Sequence, residues 1–209
     1  MSPLILPEAF GDALPRASVE DAAARGHGMT RRGFLKAAAG VAGAAACGPL
    51  FANAQAEFWK KRELWLYRYA TKEQIRVTYF ADGQLVPDEY NRLCWFMRDN
   101  HVNKMVAMDQ VLMDVLNGIQ GFYRLNSWNY PIVLNSGYRS PQTNNRLASE
   151  GAAKNSMHLY GKAADIYMPG APVRDVARLG VHFKQGGVGF YERKGFVHID
   201  TGNLRSWKG

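Results

Sequence analysis

Two histidines and a carboxylate carry the chemistry legible in this sequence. His158 and Asp165 lie in Ser156-Met157-His158-Leu159-Tyr160-Gly161-Lys162-Ala163-Ala164-Asp165, and His198 lies in Phe196-Val197-His198-Ile199-Asp200. Neutral imidazoles with an ionised carboxylate are the donors of a catalytic zinc ion, which takes three protein ligands and keeps a fourth position open. His158 and Asp165 are seven residues apart, a spacing that would share one face of a continuous helix. Gly161 and the β-prone run Ala163-Ala164-Asp165-Ile166-Tyr167 point instead to a loop feeding a strand. In a second strand, Val197 and Ile199 would face away from His198. If the two strands are neighbours, His158, Asp165 and His198 converge on one ion. Asp200 shares the strand face of His198 and is the first choice for a general base or a ligand-orienting carboxylate. Glu192 and His182 are the alternatives for the base. Taken one at a time, each of these residues reads as a structural hydrogen bond; together they read as a metal site.

The elements that must position these residues follow from local pattern. Glu63–Ala70 and Gln74–Phe80 are aromatic and β-branched runs around Thr71-Lys72-Glu73, a β-hairpin signature. Pro87-Asp88-Glu89 opens a helix with proline and acids at its start, and Leu93, Phe96 and Met97 form its apolar face. A second helix is expected over Asp109–Tyr123, where Leu112, Val115, Leu116 and Ile119 recur at helical spacing. Pro131–Ser136 reads as a short buried strand, and Ser140-Pro141 as the cap and first position of a helix through about Glu150. Further on, Lys162–Met168 is an expected strand and Val173–Leu179 a short helix. Gly187–Tyr191 and Phe196–Thr201 are expected strands. Helices and strands do not alternate cleanly, so the expected class is α+β, a small antiparallel sheet with flanking helices.

Ser156-x-His158-x-x-Gly161-x-Ala163-x-Asp165 with the distant His198 resembles the zinc D-Ala-D-Ala metallopeptidases, which share a core with lysostaphin-type endopeptidases and the hedgehog signalling domain. Within that group the chain looks most similar to exported murein endopeptidases. Ser136-Gly137-Tyr138-Arg139-Ser140-Pro141, Gly186-Gly187-Val188-Gly189-Phe190-Tyr191 and Phe196-Val197-His198-Ile199-Asp200-Thr201-Gly202 extend the likeness over most of residues 60–207. The resemblance implies one zinc ion held by His158, Asp165 and His198. It implies Arg139 beside the scissile amide, where a guanidinium suits a substrate carboxylate or developing oxyanion. Ser156 and Tyr191 are candidate substrate contacts, as are Tyr138, Tyr160 and Trp207. The implied activity is hydrolysis of peptide cross-links in peptidoglycan. Trimming of stem peptides by a D,D- or L,D-carboxypeptidase, or a non-catalytic zinc-containing wall-binding module, are the alternatives. The pattern departs at the proton carrier. Gly195 stands where some relatives have glutamate, and Phe196 where others have histidine.

Charge and the N-terminus bound the setting. Thr30-Arg31-Arg32-Gly33-Phe34-Leu35-Lys36 precedes an Ala/Gly-rich run to Phe51 and small-x-small sites at residues 52–56. This looks like a twin-arginine export signal. The run is interrupted at Pro49 and is shorter than the roughly 20 apolar residues of a spanning helix. Residues 1–56 are therefore expected to be an extension and signal, with Met29 as an alternative start, and residues 57–209 the catalytic domain of a periplasmic or envelope protein. Ala44 argues against lipidation of Cys47. Cys94, between Leu93 and Trp95, is then the single remaining thiol and reads as a buried apolar residue. Residues 57–209 hold 21 basic and 14 acidic side chains, about +7, which favours an anionic partner such as wall polymer. No arginine-rich helix or aromatic-basic motif supports nucleic-acid binding. His198-x-Asp200 also resembles part of a non-haem iron triad. There the second histidine follows the pair, and no histidine follows Asp200 here.

Overall fold

The computed structural model describes residues 60–209, so the export signal lies outside the described residues. Eight strands form one sheet in the order β3-β2-β1-β4-β5-β7-β6-β8. They are β1 (Arg62–Arg68), β2 (Glu73–Ala81), β3 (Gln84–Leu85), β4 (Ile132–Ser136), β5 (Ala163–Tyr167), β6 (Gly187–Tyr191), β7 (Phe196–Asp200) and β8 (Arg205–Lys208). The sheet is larger than expected and mixed rather than antiparallel. β4 runs parallel to β1, and β8 parallel to β6. The first parallel pair arises because α1 (Pro87–Phe96) and α2 (Gln110–Leu125) intervene between hairpin and β4, a crossover that returns the chain in its original direction. β8, a short polar strand with no apolar alternation to announce it, skips over β6 to the free edge.

One sheet face is the core. Leu64, Leu66, Ile132, Leu134, Ala164, Ile166, Val188, Val197 and Ile199 are buried there with Leu112, Leu116 and Ile119 of α2 and Val176 and Leu179 of α4 (Val173–Phe183). Burial of such side chains contributes roughly 1.5–3 kcal/mol each. α2 is capped by Asp109, whose carboxylate accepts from Val111 N–H at 2.7 Å. Gly118 lies under the Phe183 ring, where a Cβ would come within 2.3 Å of it. α4 runs one turn beyond the expected Leu179. The expected helix to Glu150 divides into α3 (Pro141–Arg146), capped by Ser140, and a 3-10 turn over Leu147–Glu150.

α1 presents Leu93, Phe96 and Met97 inward, as its spacing predicts. Its end is pinned by the buried Arg68, whose Nη2 donates to the carbonyls of Phe96 at 2.7 Å and Arg98 at 3.1 Å. Burial, then the neighbouring Arg98, brings the Arg68 pKa down to about 10. That fixed end matters for the opposite sheet face, because the Met97 carbonyl receives Tyr138 N–H at 2.8 Å and so anchors the loop after β4.

Candidate metal centre

β5 and β7 are antiparallel neighbours, with Asp165 paired directly to His198. Strand alternation turns Ala164, Ile166, Val197 and Ile199 into the core and Asp165, His198 and Asp200 to the other face. His158 arrives from a 3-10 turn over Met157–Tyr160. Ser156 caps that turn, its hydroxyl accepting His158 N–H at 3.4 Å, and Gly161 ends it at φ +67. A Cβ at Gly161 would come within 2.7 Å of the Ala107 carbonyl, so both the backbone angle and the space call for glycine.

His158, Asp165 and His198 are thereby brought together, each offering one ligand atom within 4.8 Å of the others. His158 Nε2 lies 3.2 Å from His198 Nδ1 and 3.2 Å from Asp165 Oδ1, and His198 Nδ1 lies 2.8 Å from Asp165 Oδ1. The outer ring nitrogens are both engaged. His158 Nδ1 donates to the Gly137 carbonyl at 2.6 Å, and His198 Nε2 donates to Asp200 Oδ2 at 2.9 Å. With both imidazoles neutral in those tautomers, three lone-pair atoms face one another with no donor among them, an arrangement that calls for a cation. Zinc bonds of 2.0–2.2 Å in a tetrahedron place ligand atoms about 3.4 Å apart, a few tenths of an ångström beyond the spacing seen. The donor set fits the ion.

Charge follows the same geometry. Burial holds the His158 pKa below its ordinary value despite Asp165 beside it. Burial also opposes charge on His198, but its hydrogen bonds to Asp165 and Asp200 outweigh this and push it up. Burial would raise the pKa of Asp165, yet His158, His198 and Arg139 hold it well below the carboxylate range. Asp200 is held low as well: burial is overcome by His198, Gly202 N–H and Arg205.

Arg139 is placed by a defect in β4. The register shifts between Leu134 and Ser136, so that Ser136 pairs with Asp165. Such a bulge re-aims a side chain. Here the Ser136 hydroxyl accepts Arg139 Nε–H at 2.7 Å, and Arg139 Nη2 donates to Asp165 Oδ2. The guanidinium thus occupies the outer carboxylate oxygen, leaving Oδ1 turned to the histidines. Among the described residues Nη1 of Arg139 has no partner.

Asp200 was expected to be a base or an orienting carboxylate, and its surroundings favour the second role. Its side chain has 0% exposure. Oδ1 accepts from Gly187 N–H, Gly202 N–H and Arg205 Nη1, and Oδ2 from His198 Nε2 and Arg205 Nη2. Five donors on roughly four lone-pair sites leave no oxygen for substrate. Neither alternative base joins the cluster. Glu192 is exposed and pairs with Arg174 at 3.5 Å. His182 belongs to α4, packed on the Ile199 face of the sheet. Tyr191 shares the face of His198, stacked on Phe196 at 4.5 Å with its hydroxyl accepting from Trp207 Nε1. Tyr160 is exposed and Tyr138 packs against the core.

A family model described as peptidoglycan L,D-endopeptidase MepK matches residues 56–207. The chain belongs to that family. Proteins named peptidoglycan L,D-endopeptidase MepK from Escherichia coli and Shigella flexneri are each 38% identical over 175 residues, 83% of this chain and 94% of theirs. A probable MepK from Haemophilus influenzae is 36% identical over 152 residues, 72% of this chain and 81% of its own. The matched span includes every residue of the candidate metal centre.

Three participants were not assigned from sequence: the Gly137 carbonyl, the Ser136 hydroxyl and Arg205. Ser136 and Gly137 stand in the Ser-Gly-Tyr-Arg motif that drew attention to Arg139, and the motif was the available signal. Arg205 has a weaker signal, its two-residue offset from Trp207.

Proposed function

We propose that this chain is a zinc-dependent endopeptidase that hydrolyses peptide cross-links of peptidoglycan. The observation that carries the reading is the ring of three lone-pair atoms, His158 Nε2, His198 Nδ1 and Asp165 Oδ1, in a chain of the MepK family. These three residues would hold one zinc ion, with the Gly137 carbonyl and Asp200 keeping the two imidazoles in the required tautomers. When bound there, zinc would supply Lewis acidity toward the scissile carbonyl and lower the pKa of water toward 7.

The protein's own groups then divide the remaining work. Arg139 keeps Asp165 oriented and offers Nη1 to a stem-peptide carboxylate or to the developing oxyanion. Ser156 presents His158 by capping its turn. Tyr191, with Phe196 and Trp207, lines the same face beside His198 and suits the apolar parts of a stem peptide. Excess positive charge favours approach to the carboxylate-rich wall. The domain at 57–209 would work in the periplasm after export through the twin-arginine signal in residues 1–56. None of the described helices is long and apolar enough to cross a membrane.

The test is digestion of cross-linked murein by purified, zinc-loaded protein, followed by mass analysis of the muropeptides. Conversion of cross-linked dimers to monomers, stopped by EDTA, is expected. Loss of terminal residues with dimers intact would identify a carboxypeptidase instead. Unaltered murein with tightly bound protein would identify a wall-binding module.

A further inference from the structure

We propose that the C-terminal strand β8 is part of the metal centre, with Arg205 and Trp207 as positioning residues for His198. The inference rests on the metal-centre reading above.

Three neighbouring strands present matched two-residue patterns on one face: Gly187-x-Gly189 on β6, His198-x-Asp200 on β7 and Arg205-x-Trp207 on β8. In register, Gly189 pairs with His198 on one side and Trp207 on the other, and Gly187 pairs with Arg205. β6 therefore separates β8 from the ligand strand, and its two glycines remove the barrier. A Cβ at Gly187 would lie 2.6 Å from both Arg205 Nη1 and Asp200 Oδ2. One at Gly189 would lie 2.6 Å from the Trp207 ring and 2.8 Å from the Tyr191 ring. Across this bare floor the side chains of β8 reach β7.

Arg205 grips both Asp200 oxygens, Nη1 to Oδ1 at 3.1 Å and Nη2 to Oδ2 at 2.6 Å. The Trp207 ring lies against His198 itself, with centroids 5.4 Å apart. Its orientation is fixed from two sides, by Nε1–H donated to Tyr191 Oη at 3.1 Å and by the Arg205 guanidinium 5.0 Å from the ring centre. His198 is thus held through Asp200 at one ring nitrogen and by the indole along its side.

A solubilising role for an edge-strand arginine is the ordinary expectation, and an exposed ion pair contributes little. Arg205 differs because only one partner is exposed: its own side chain is 42% exposed, while that of Asp200 is 0%. The fork closes over a buried carboxylate that has a metal ligand on its other side, and planar bidentate pairing fixes the carboxylate plane as well as its charge. The function of the pair is to keep Asp200, and hence Nδ1 of His198, aimed at the ion.

The test uses the full chain and reads the metal directly, so it can fail while the peptidase reading stands, and the reverse. Zinc affinity is measured by competition with a chromophoric chelator, ligand geometry by the visible spectrum of the cobalt-substituted protein, and integrity by melting of metal-free protein. Arg205→Ala is expected to weaken zinc binding about 10–100-fold and alter the cobalt spectrum. Trp207→Ala is expected to alter the same spectrum, and Arg205→Lys to recover part of the affinity. Wild-type zinc affinity and an unchanged cobalt spectrum in Arg205→Ala overturn the proposal. So does a lowered melting temperature with both metal readouts unchanged, which would mark a purely structural role. Should Arg205→Ala not fold, Arg205→Gln decides by the same criteria.

Discussion

The Gly137 carbonyl stands 2.6 Å from His158 Nδ1, and the same glycine brings its α-carbon against the Met97 carbonyl. One residue thus fixes the tautomer of His158, a proposed metal ligand, and docks its loop on the end of α1. Both roles need the missing side chain, since a Cβ there would come within 2.3 Å of the Met97 oxygen. Gly137→Ala is expected to shift the loop, destabilise the fold by about 1–3 kcal/mol and weaken zinc binding about 10-fold or more. Chelator competition and thermal melting check both. Unchanged metal affinity would mean that His158 does not depend on this acceptor.

Asp200→Asn separates an orienting carboxylate from a proton carrier. The amide keeps the size but presents either N–H or carbonyl to His198 Nε2, so zinc affinity is expected to fall about 10–100-fold. Activity on murein should recover substantially when zinc is raised to saturation. Persistent loss at full zinc occupancy would show that Asp200 handles the proton itself.

Arg139 touches Asp165 with Nη2 and, among the described residues, leaves Nη1 without a partner. Arg139→Ala is expected to lower kcat on muropeptide substrates by about 10²–10³-fold if Nη1 meets the oxyanion. Arg139→Lys should recover little, because one ammonium cannot satisfy Ser136, Asp165 and substrate in a plane. A rise in KM with kcat unchanged would assign Nη1 to a substrate carboxylate in the ground state.

If zinc binds as proposed, protons would compete with it for Nδ1 of His198, whose pKa Asp165 and Asp200 push above the ordinary histidine value against the effect of burial. Zinc affinity should therefore fall as pH drops through that raised value, approaching about tenfold per pH unit for one displaced proton. His158, held low, should add a second proton only in more acid solution. In metal-free protein the sign reverses for stability: the raised His198 stabilises the fold below its unfolded pKa of about 6.5 and loses that contribution as pH rises through the folded value. Zinc affinity that is flat between pH 6 and 8 would contradict this arrangement.

Ser156→Ala removes the cap of the turn that carries His158. A stability loss of about 0.5–2 kcal/mol is expected, with KM for muropeptides little changed. A selective rise in KM with an unaltered melting temperature would instead make Ser156 a substrate contact.

The sequence by itself determined the candidate donors and most of the elements. His158, Asp165 and His198 were legible as a set that could hold a metal ion because such a site restricts residue type sharply, and because alternation of Val197, His198, Ile199 and Asp200 states which side chains share a face. The hairpin, α1 and α2 were legible from apolar period and from Pro87 and Asp109 at helix starts, all local signals. Sheet order and mixed strand direction were decided only by the tertiary structure. They depend on which strand edges remain free after α1 and α2 cross over, and no local pattern encodes that. The surroundings of each side chain in the candidate centre were decided there too. Asp200 and Arg139 are each compatible with several roles as residue types; enclosure by Gly187, Gly202 and Arg205, and a bulge that turns Ser136 toward Asp165, select among them. Distance between side chains far apart in the chain is a property of packing, and the chemistry of this centre is set at that scale.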